Sequence, residues 1–542
     1  MAGRQVGGVD VSAGRRGLVA GLVAGLVAVA GAGAISQVRS AQARRKRKAS
    51  GVAQRTKLAR GLKTASVGSK VGATVAVDRV QRSFAGDEKK AELDRRLEEK
   101  TANQVVSAMA DMKGLLMKVG QMESYTDDDL PEAWRAALST LQQDATGMDG
   151  SASAAVVEEE LGRPPNEIFA TWSDEPMAAA SVGQVHRART RDGRDVAVKV
   201  QYPGASDALR ADVGSIQALV DTATKMSARQ DTPTSELFDT LDPSALFGEF
   251  RDRLLEELDY RTELANQQRL RAAFAGHPFI SIPEPIASLS AGRVLTSSLA
   301  EGTRFDEVVA TWSQTERSLA GEAIFRFALR SIFELRFFNG DPHPGNYIFH
   351  GGGRVSFLDF GLCSTLPPEL ADGLRRTLRR LVIDGDETGG RRVAEEAGLI
   401  PRVPDAPDSV VASLLRRGWD HLALDAVGPV SPIGRAPELQ EAVEAGLDIR
   451  HLVPLMAPPP ELAVLKRATE GLRGLLTRLG AEANWQRAAL EVWGEAKGKP
   501  QGELGQQEAA WRSSSAPASA SASASESASE SASGRRRWRR RG

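Results

Sequence analysis

Apolar and polar positions alternate most cleanly at "DVAVKVQ", residues 195–201, where Val196, Val198 and Val200 share one face and Ala197, Lys199 and Gln201 the other. A period of two predicts a half-buried strand. A matching run lies just upstream, and the "RDGR" between them (191–194) carries the Asp-Gly signal of a tight hairpin. "RVLTSSLAEG" (293–302) reads as a further strand leaving for a new unit. Elsewhere the period is helical. Val105, Met109, Met112, Leu116 and Val119 recur at the spacing of one helix face, and "DDDLPE" (127–132) ends that run. Helices are predicted over 151–162, ending near "GRPP", and over 206–229 and 244–275. Further helical runs fall at 368–383, 390–398, 408–416, 437–445 and 460–494. Within this helical half, Tyr347–Phe349 and Val355–Leu358 flank "HGGG" as a second small hairpin. A small β-rich unit followed by a larger helical one is an α+β arrangement.

Length and charge add a division of the chain. At 542 residues it suits several units rather than one. The formal net charge of zero conceals an asymmetry: residues 1–80 hold 15 Lys/Arg against 2 Asp/Glu, and "RRRWRRRG" adds six Arg at 535–541. The body between is therefore acidic, and the basic ends suit an anionic surface. Anionic lipid is the expected partner, and nucleic acid is not, because "GLVAGLVAGLVAVAGAGAI" (17–35) lies beside the charges without a single ionisable group. Nineteen helical residues rise roughly 28 Å, close to a bilayer's hydrocarbon thickness. Gly17, Gly21 and Gly25 repeat at the spacing that lets membrane helices approach. The larger basic cluster, "RRKRK" (44–48), follows the segment and predicts a cytoplasmic C-terminal side. An alanine-glycine helix lying on the protein, or a cleaved signal peptide, are the alternatives. The single cysteine, Cys363, favours a reducing compartment, and no Cys/His spacing suggests zinc. Residues 501–542 are expected to be a disordered tail with an Arg-rich end, because "SSSAPASASASASESASESASG" (513–534) within them is low-complexity and cannot build a core.

The candidate chemistry sits in "FFNGDPHPGNYIFHGGGRVSFLDFG" (337–361), where Asp341 and Asn346 share a loop stiffened by prolines and Asp359 opens Asp-Phe-Gly. Phosphoryl transfer consists mainly of positioning and charge neutralisation. It needs a carboxylate near the attacking oxygen and oxygen ligands for a Mg²⁺ that bridges nucleotide phosphates. Asp-x-x-x-x-Asn, a hairpin and Asp-Phe-Gly supply that set: Asp341 as base, Asn346 and Asp359 as metal ligands. Surface turns capped by Asp and Asn are the bland alternative. Lys199 in "VAVKV" fits the strand lysine that grips phosphates, and Glu263 is the candidate helix partner that orients it. A glycine-rich loop should precede that strand, but "MAAASVGQV" (177–185) puts Ala178, Ala179, Ala180 and Ser181 over the phosphates instead. Alanine disfavours positive φ, so nucleotide should sit in a different pose. Alone, this run also reads as a helix start.

Together these residues resemble the AarF/UbiB family of atypical kinases. "KVGQ" (Lys118, Gly120 and Gln121 of 118–121) is similar to its Lys-x-Gly-Gln signature. "AAAS" resembles its alanine-rich loop, "ELD" (Glu257 to Asp259) its Glu-x-Asp motif, and "DPHPGN" with "DFG" its catalytic and metal segments. The resemblance covers residues 100–365 firmly and extends loosely to about 490. It implies a bilobal protein-kinase-like fold: a helical extension at 101–165, an N-lobe at 166–302 and a C-lobe at 303–500. It also implies that the Lys118/Gln121 helix folds over the protein-substrate site toward Glu257 and Asp259 and gates it. ATP and Mg²⁺ are the implied cofactors, and a small-molecule or lipid acceptor linked to isoprenoid-quinone metabolism the implied partner. "FFNG" stands where many relatives have His-Ala before the catalytic aspartate, the hinge lacks an acidic centre, and no C-terminal membrane pair follows. Two other readings fit part of the pattern. Asp-x-His-x-x-Asn also suits an aminoglycoside/choline-type phosphotransferase, and the fold also suits a nucleotide-binding scaffold without turnover.

Overall fold

A computed structural model describes residues 150–180, 182–204, 258–430 and 460–515, with isolated positions between 206 and 255. The expected membrane segment 17–35, the Lys118–Gln121 helix, Ser181, Glu257 and the tail from 516 onward lie outside the described residues. Among the described residues no helix is long and apolar enough to cross a membrane.

The N-lobe is built on an antiparallel sheet ordered β1-β2-β3-β5, from β1 (Phe169–Ala180), β2 (Gly183–Thr190), β3 (Asp195–Gln201) and β5 (Val294–Ser298). The Asp-Gly hairpin forms as expected. Thr190 N–H donates to the Arg194 carbonyl, and Gly193 takes φ 90°, which a side chain would resist. Val196, Val198 and Val200 are fully buried against Val156 and Val157 of α1 (Gly150–Leu161). The opposite face, with Leu295, packs on Leu258 and on Tyr260 of helix α3 (Tyr260–Ala273), following the short α2 (Pro165–Ile168). Alternation thus places Lys199 on the α3 side of the sheet. At Gly183 a Cβ would lie 2.2 Å from the Val200 carbonyl oxygen, so the turn into β2 tolerates no side chain.

A second sheet, ordered β4-β9-β8-β6, sits where the lobes meet: β4 (Ile280–Ser281), β6 (Thr303–Arg304), β8 (Tyr347–Phe349) and β9 (Val355–Phe357). Three left-handed glycines, Gly351, Gly352 and Gly353, close the β8–β9 hairpin. The C-lobe follows α4 (Phe305–Thr311) with α5 (Gln314–Phe333), a helix buried along much of its length and capped where the Ser313 hydroxyl accepts from Glu316 N–H. Arg336, at φ 53°, turns the chain from α5 into β7 (Phe337–Asn339), which pairs with β10 (Cys363–Thr365) and brackets the catalytic segment. Helices α6 (Pro368–Leu378), α7 (Glu387–Glu396) and α8 (Asp408–Arg416) form one flank, and β11 (Gly428–Pro429) pairs with β12 (Glu482–Ala483).

The helix expected over 368–383 passes at Arg379 into a wider π-type turn through Ile383. The one expected over 460–494 is two, α9 (Pro460–Leu479) and α10 (Trp485–Trp493), split at left-handed Gly480. A last helix, α11 (Gly502–Ser515), returns to the lobe junction with Leu504 fully buried beside Gly353. It stands where the disordered tail expected over 501–542 should begin: residues 502–515 fold as a helix, and the pattern hides it because its register is polar. Leu504, Gly505, Glu508, Trp511 and Arg512 touch the body, and of these only Leu504 and Trp511 carry apolar side chains.

Candidate active site

Lys199 Nζ donates to both carboxylate oxygens of Glu263, each at 2.9 Å, and to Asp359 Oδ2 at 3.0 Å. Three elements distant in sequence supply these groups: β3, α3 and the end of β9. Glu263 is 4% exposed, whereas Asp359 is 33% exposed, so the aspartate faces the cleft while the glutamate is the buried anchor. Burial pulls the Lys199 ammonium down, but Asp359 and Glu263 outweigh it and hold it well above the usual lysine range. Burial pushes the Glu263 carboxyl up to about 7; Lys199 opposes this and Asp359 adds to it. One cation thus serves two carboxylates, and the more buried carboxylate carries the cost. A positive charge delivered next to Asp359 would relieve it.

The Asp341–Asn346 loop and the Asp-Phe-Gly turn are fixed by local hydrogen bonds. Asn346 Nδ2 donates to the Asp341 carbonyl at 3.0 Å, and His343 Nδ1 accepts from Gly345 N–H at 2.9 Å. Asp359 Oδ1 accepts from Gly361 N–H at 3.0 Å, and Phe360 is fully buried in the C-lobe core. Asn266 of α3 donates to the Phe360 carbonyl at 2.9 Å, so the helix carrying Glu263 also grips the Asp-Phe-Gly turn. Burial, with Asp359 and Glu263 nearby, holds the Cys363 thiol well above its ordinary range, which disfavours the thiolate.

Ala178, Ala179 and Ala180 are not a helix start. They are the last residues of β1, paired with Val185, Gln184 and Gly183. The hairpin is pinned from below. Gln184 Nε2 donates to the Ser153 hydroxyl at 2.8 Å, His186 Nε2 lies 2.9 Å from the same hydroxyl, and His186 Nδ1 is 2.8 Å from the Ser173 carbonyl. Trp172 stacks on the His186 ring at 4.7 Å. The hairpin therefore gains from α1 the rigidity that its sequence alone does not announce.

Asp341, Asn346, Asp359, Lys199 and Glu263 are thus brought together. Asp259 stands apart in role. It is the N-cap of α3, where Oδ1 accepts from Arg261 N–H at 3.0 Å, one turn ahead of Glu263. Two side chains were missed from sequence. Asn339, in the "FFNG" departure, donates from Nδ2 to the Asp359 carbonyl at 2.6 Å and accepts from Asp341 N–H at 2.9 Å. It ties the two acidic segments to each other. Arg467, on α9, donates from Nη2 to Asp341 Oδ1 at 2.9 Å. The Asn at 339 was visible as a departure; nothing in the pattern around 467 set that arginine apart.

The geometry is that of a protein-kinase-like cleft, and similarity to known proteins agrees. Residues 140–393 match the ABC1 atypical kinase-like domain. The mitochondrial atypical kinase COQ8B of Rattus norvegicus is 33% identical over 298 residues, covering 54% of this chain and 53% of the relative. The chain belongs to the AarF/UbiB family of atypical kinases. Another AarF/UbiB relative, the chloroplastic Activity of bc1 complex kinase 8 of Arabidopsis thaliana, is 31% identical over 261 residues, covering 48% of this chain and 33% of that protein. The chain thus matches about half or less of these relatives' lengths. Among solved structures, Rv3197 of Mycobacterium tuberculosis, determined with erythromycin, superposes with a TM-score of 0.52 at 30% identity. That superposition covers 76% of this chain and all of the other. The bilobal α+β fold implied by the AarF/UbiB resemblance is therefore the fold of the chain.

Proposed function

We propose that this AarF/UbiB chain binds ATP with Mg²⁺ and acts as an atypical kinase or ATPase at the cytoplasmic face of a membrane. The observation that carries the reading is Lys199, held between Glu263 and Asp359 on three separate elements. A lysine fixed in this way is oriented to meet α- and β-phosphates. The donor set also fits the metal. Asp359 presents a partly exposed carboxylate, and Asn346 has its amide nitrogen committed to Asp341, so its oxygen is the ligand it can offer. Among the described residues no cluster of three or more His, Cys, Asp or Glu forms a metal cage. Hard oxygen donors, too few to complete the shell, suit Mg²⁺ that takes its remaining ligands from phosphates and water. Bound there, Mg²⁺ would neutralise charge on the phosphates. In this reading Asp341 accepts the proton of the attacking hydroxyl or water, and Ala178, Ala179, Ala180 and Ser181 cover the phosphates. Lys118, Gly120 and Gln121, with Glu257 and Asp259, complete the reading as the gate. The basic segments at 1–80 and 535–541 support docking to anionic lipid, and the acceptor is a small molecule or lipid of isoprenoid-quinone metabolism.

The test is ATP hydrolysis by the full chain, with Mg²⁺ or excess chelator, in the presence and absence of anionic liposomes. Turnover that requires Mg²⁺ and rises with lipid is expected. Tight nucleotide binding without turnover in every condition would replace the reading with a scaffold. A second expectation concerns the hairpin. Ala179→Gly loosens a strand end by roughly 0.5–1 kcal/mol, which should alter the KM for ATP relative to other nucleotides about 2–5-fold. Competition among ATP, GTP and ADP would measure it, and an unchanged profile would remove Ala179 from the nucleotide site.

A further inference from the structure

A transferring phosphoryl group spreads negative charge over three equatorial oxygens, and some cation must meet it. The catalytic loop itself carries none: residues 341–346 read Asp-Pro-His-Pro-Gly-Asn, and the His343 ring is turned to Gly345 N–H. Lys199 is engaged by Glu263 and Asp359. The cation beside Asp341 comes from elsewhere in the chain, from Arg467, 126 residues downstream.

Its placement is specified by packing. Val464, Arg467 and Gly471 stand at i, i+3 and i+7 and share one face of α9. That face lies on Gly340, Asp341 and Pro342 in the same order. A Cβ on Gly340 would meet Val464 Cγ1 at 2.5 Å, and a Cβ on Gly471 would meet Pro342 Cγ at 2.6 Å. Two glycines therefore let the helix and the loop approach more closely than side chains permit, and Arg467 projects between those contacts. Among the described residues Arg467 donates through Nη2, the side chain keeps 21% exposure, and a guanidinium carries four further N–H donors.

We propose that Arg467 is a catalytic arginine supplied in cis: one nitrogen holds Asp341 in line while the others receive the γ-phosphoryl oxygens of a nucleoside triphosphate. This rests on the phosphotransferase reading above. In the step it serves, the acceptor oxygen bonds to the γ-phosphorus as the bond to the β–γ bridging oxygen breaks. The acceptor's proton passes to Asp341, and the bond electrons leave with the nucleoside diphosphate.

The experiment uses the full chain with Arg467→Ala, Arg467→Lys and Gly471→Ala, all checked by thermal melting. Arg467→Ala should lower kcat by about 10²–10³-fold with the KM for ATP within about threefold, because the contact is made in the transition state. Millimolar guanidinium should restore part of kcat. ADP with aluminium fluoride, a mimic of the transferring group, should bind wild type more tightly than ADP alone. The Ala variant should lose that difference while keeping its affinity for ADP. Arg467→Lys should fall between, and Gly471→Ala, which pushes α9 off Pro342, should reproduce the kcat loss without touching the arginine. An unchanged kcat in Arg467→Ala, or equal losses in ADP and ADP–fluoride affinity, would overturn the inference and leave the phosphotransferase reading standing. Absence of turnover in wild type would overturn both.

Discussion

Asp359→Asn is expected to lower Mg²⁺-dependent turnover by about 10³-fold while the protein stays folded and loses less stability than wild type as pH rises to neutral. The two halves of this expectation have separate causes. Turnover falls because an amide cannot neutralise a divalent cation. The fold survives because Asn keeps the oxygen that accepts from Gly361 N–H, and the backbone carbonyl that Asn339 grips is untouched. The stability trend follows from Glu263, whose carboxyl is raised to about 7 by burial and in part by Asp359. A raised folded value means that this group supports the fold below its ordinary range near 4.5 and that the support is lost as pH rises through 7. Without the Asp359 charge that loss shrinks. Melting temperatures at pH 5.0 and 7.5 should therefore show the variant gaining on wild type at the higher pH. Turnover within tenfold of wild type would refute the metal assignment, and a flat difference in melting would refute the coupling between the two carboxylates.

The second large effect lies far from the cleft. Arg326, 1% exposed on α5, donates to Glu508 of α11 at 2.8 Å, and Arg330 Nε donates to the same carboxylate at 2.5 Å. His277 lies 3.5 Å away, and Glu322 and Glu491 also bind Arg326. Burial would raise the Glu508 carboxyl, but His277, Arg330 and Arg326 overcome it and bring it to about 2. Glu508→Ala leaves two arginines without their shared partner and should cost roughly 3–5 kcal/mol. Glu508→Gln keeps the shape and removes the charge, and about 3 kcal/mol is expected from the lowered value alone. For a depressed carboxylate the contribution is full above its ordinary value near 4.5 and vanishes as pH falls through 2. Denaturant titrations from pH 2 to 7 should show the gap between wild type and Glu508→Gln opening over that window. A gap that does not change with pH would mean that the carboxylate's charge is irrelevant.

Much of the site was legible because its groups sit on elements whose periodicity is local. The valines of 196–200 fix which face of β3 Lys199 occupies, and the glycines of 351–353 fix the hairpin between Asn346 and Asp359. Glu263 could be named because a strand lysine of this type needs a helix carboxylate, although the helix expected over 244–275 in fact begins only at Tyr260, after its N-cap Asp259. What could not be read depends on distant contacts. Arg467 belongs to the site only because Gly340 and Gly471 bring α9 onto the catalytic loop, and neither glycine states its partner. Helix α11 was missed for a related reason: it binds through Glu508, Trp511 and Arg512, so its sequence lacks a continuous apolar stripe. The break at Gly480 was a small-residue signal overruled by strong helical periodicity on both sides.

The ionic cluster under α11 also has a consequence for biosynthesis. Arg326 has Glu322 beside it from the start, but it is made 182 residues before Glu508, the carboxylate it shares with Arg330. At about 5–20 residues per second, translation leaves it waiting roughly 9–36 s. During that interval α5 carries two arginines destined for burial, Arg326 and Arg330, without their shared counter-ion. The helix cannot take its final seat at low cost until position 508 has been synthesised and released from the ribosome. The N-lobe sheet, complete by residue 298, faces no such delay. Its nascent form can fold while the C-lobe still depends on a chaperone or on solvent for its charges, so ribosome-stalled chains ending before 508 should carry a folded first lobe and an open second one.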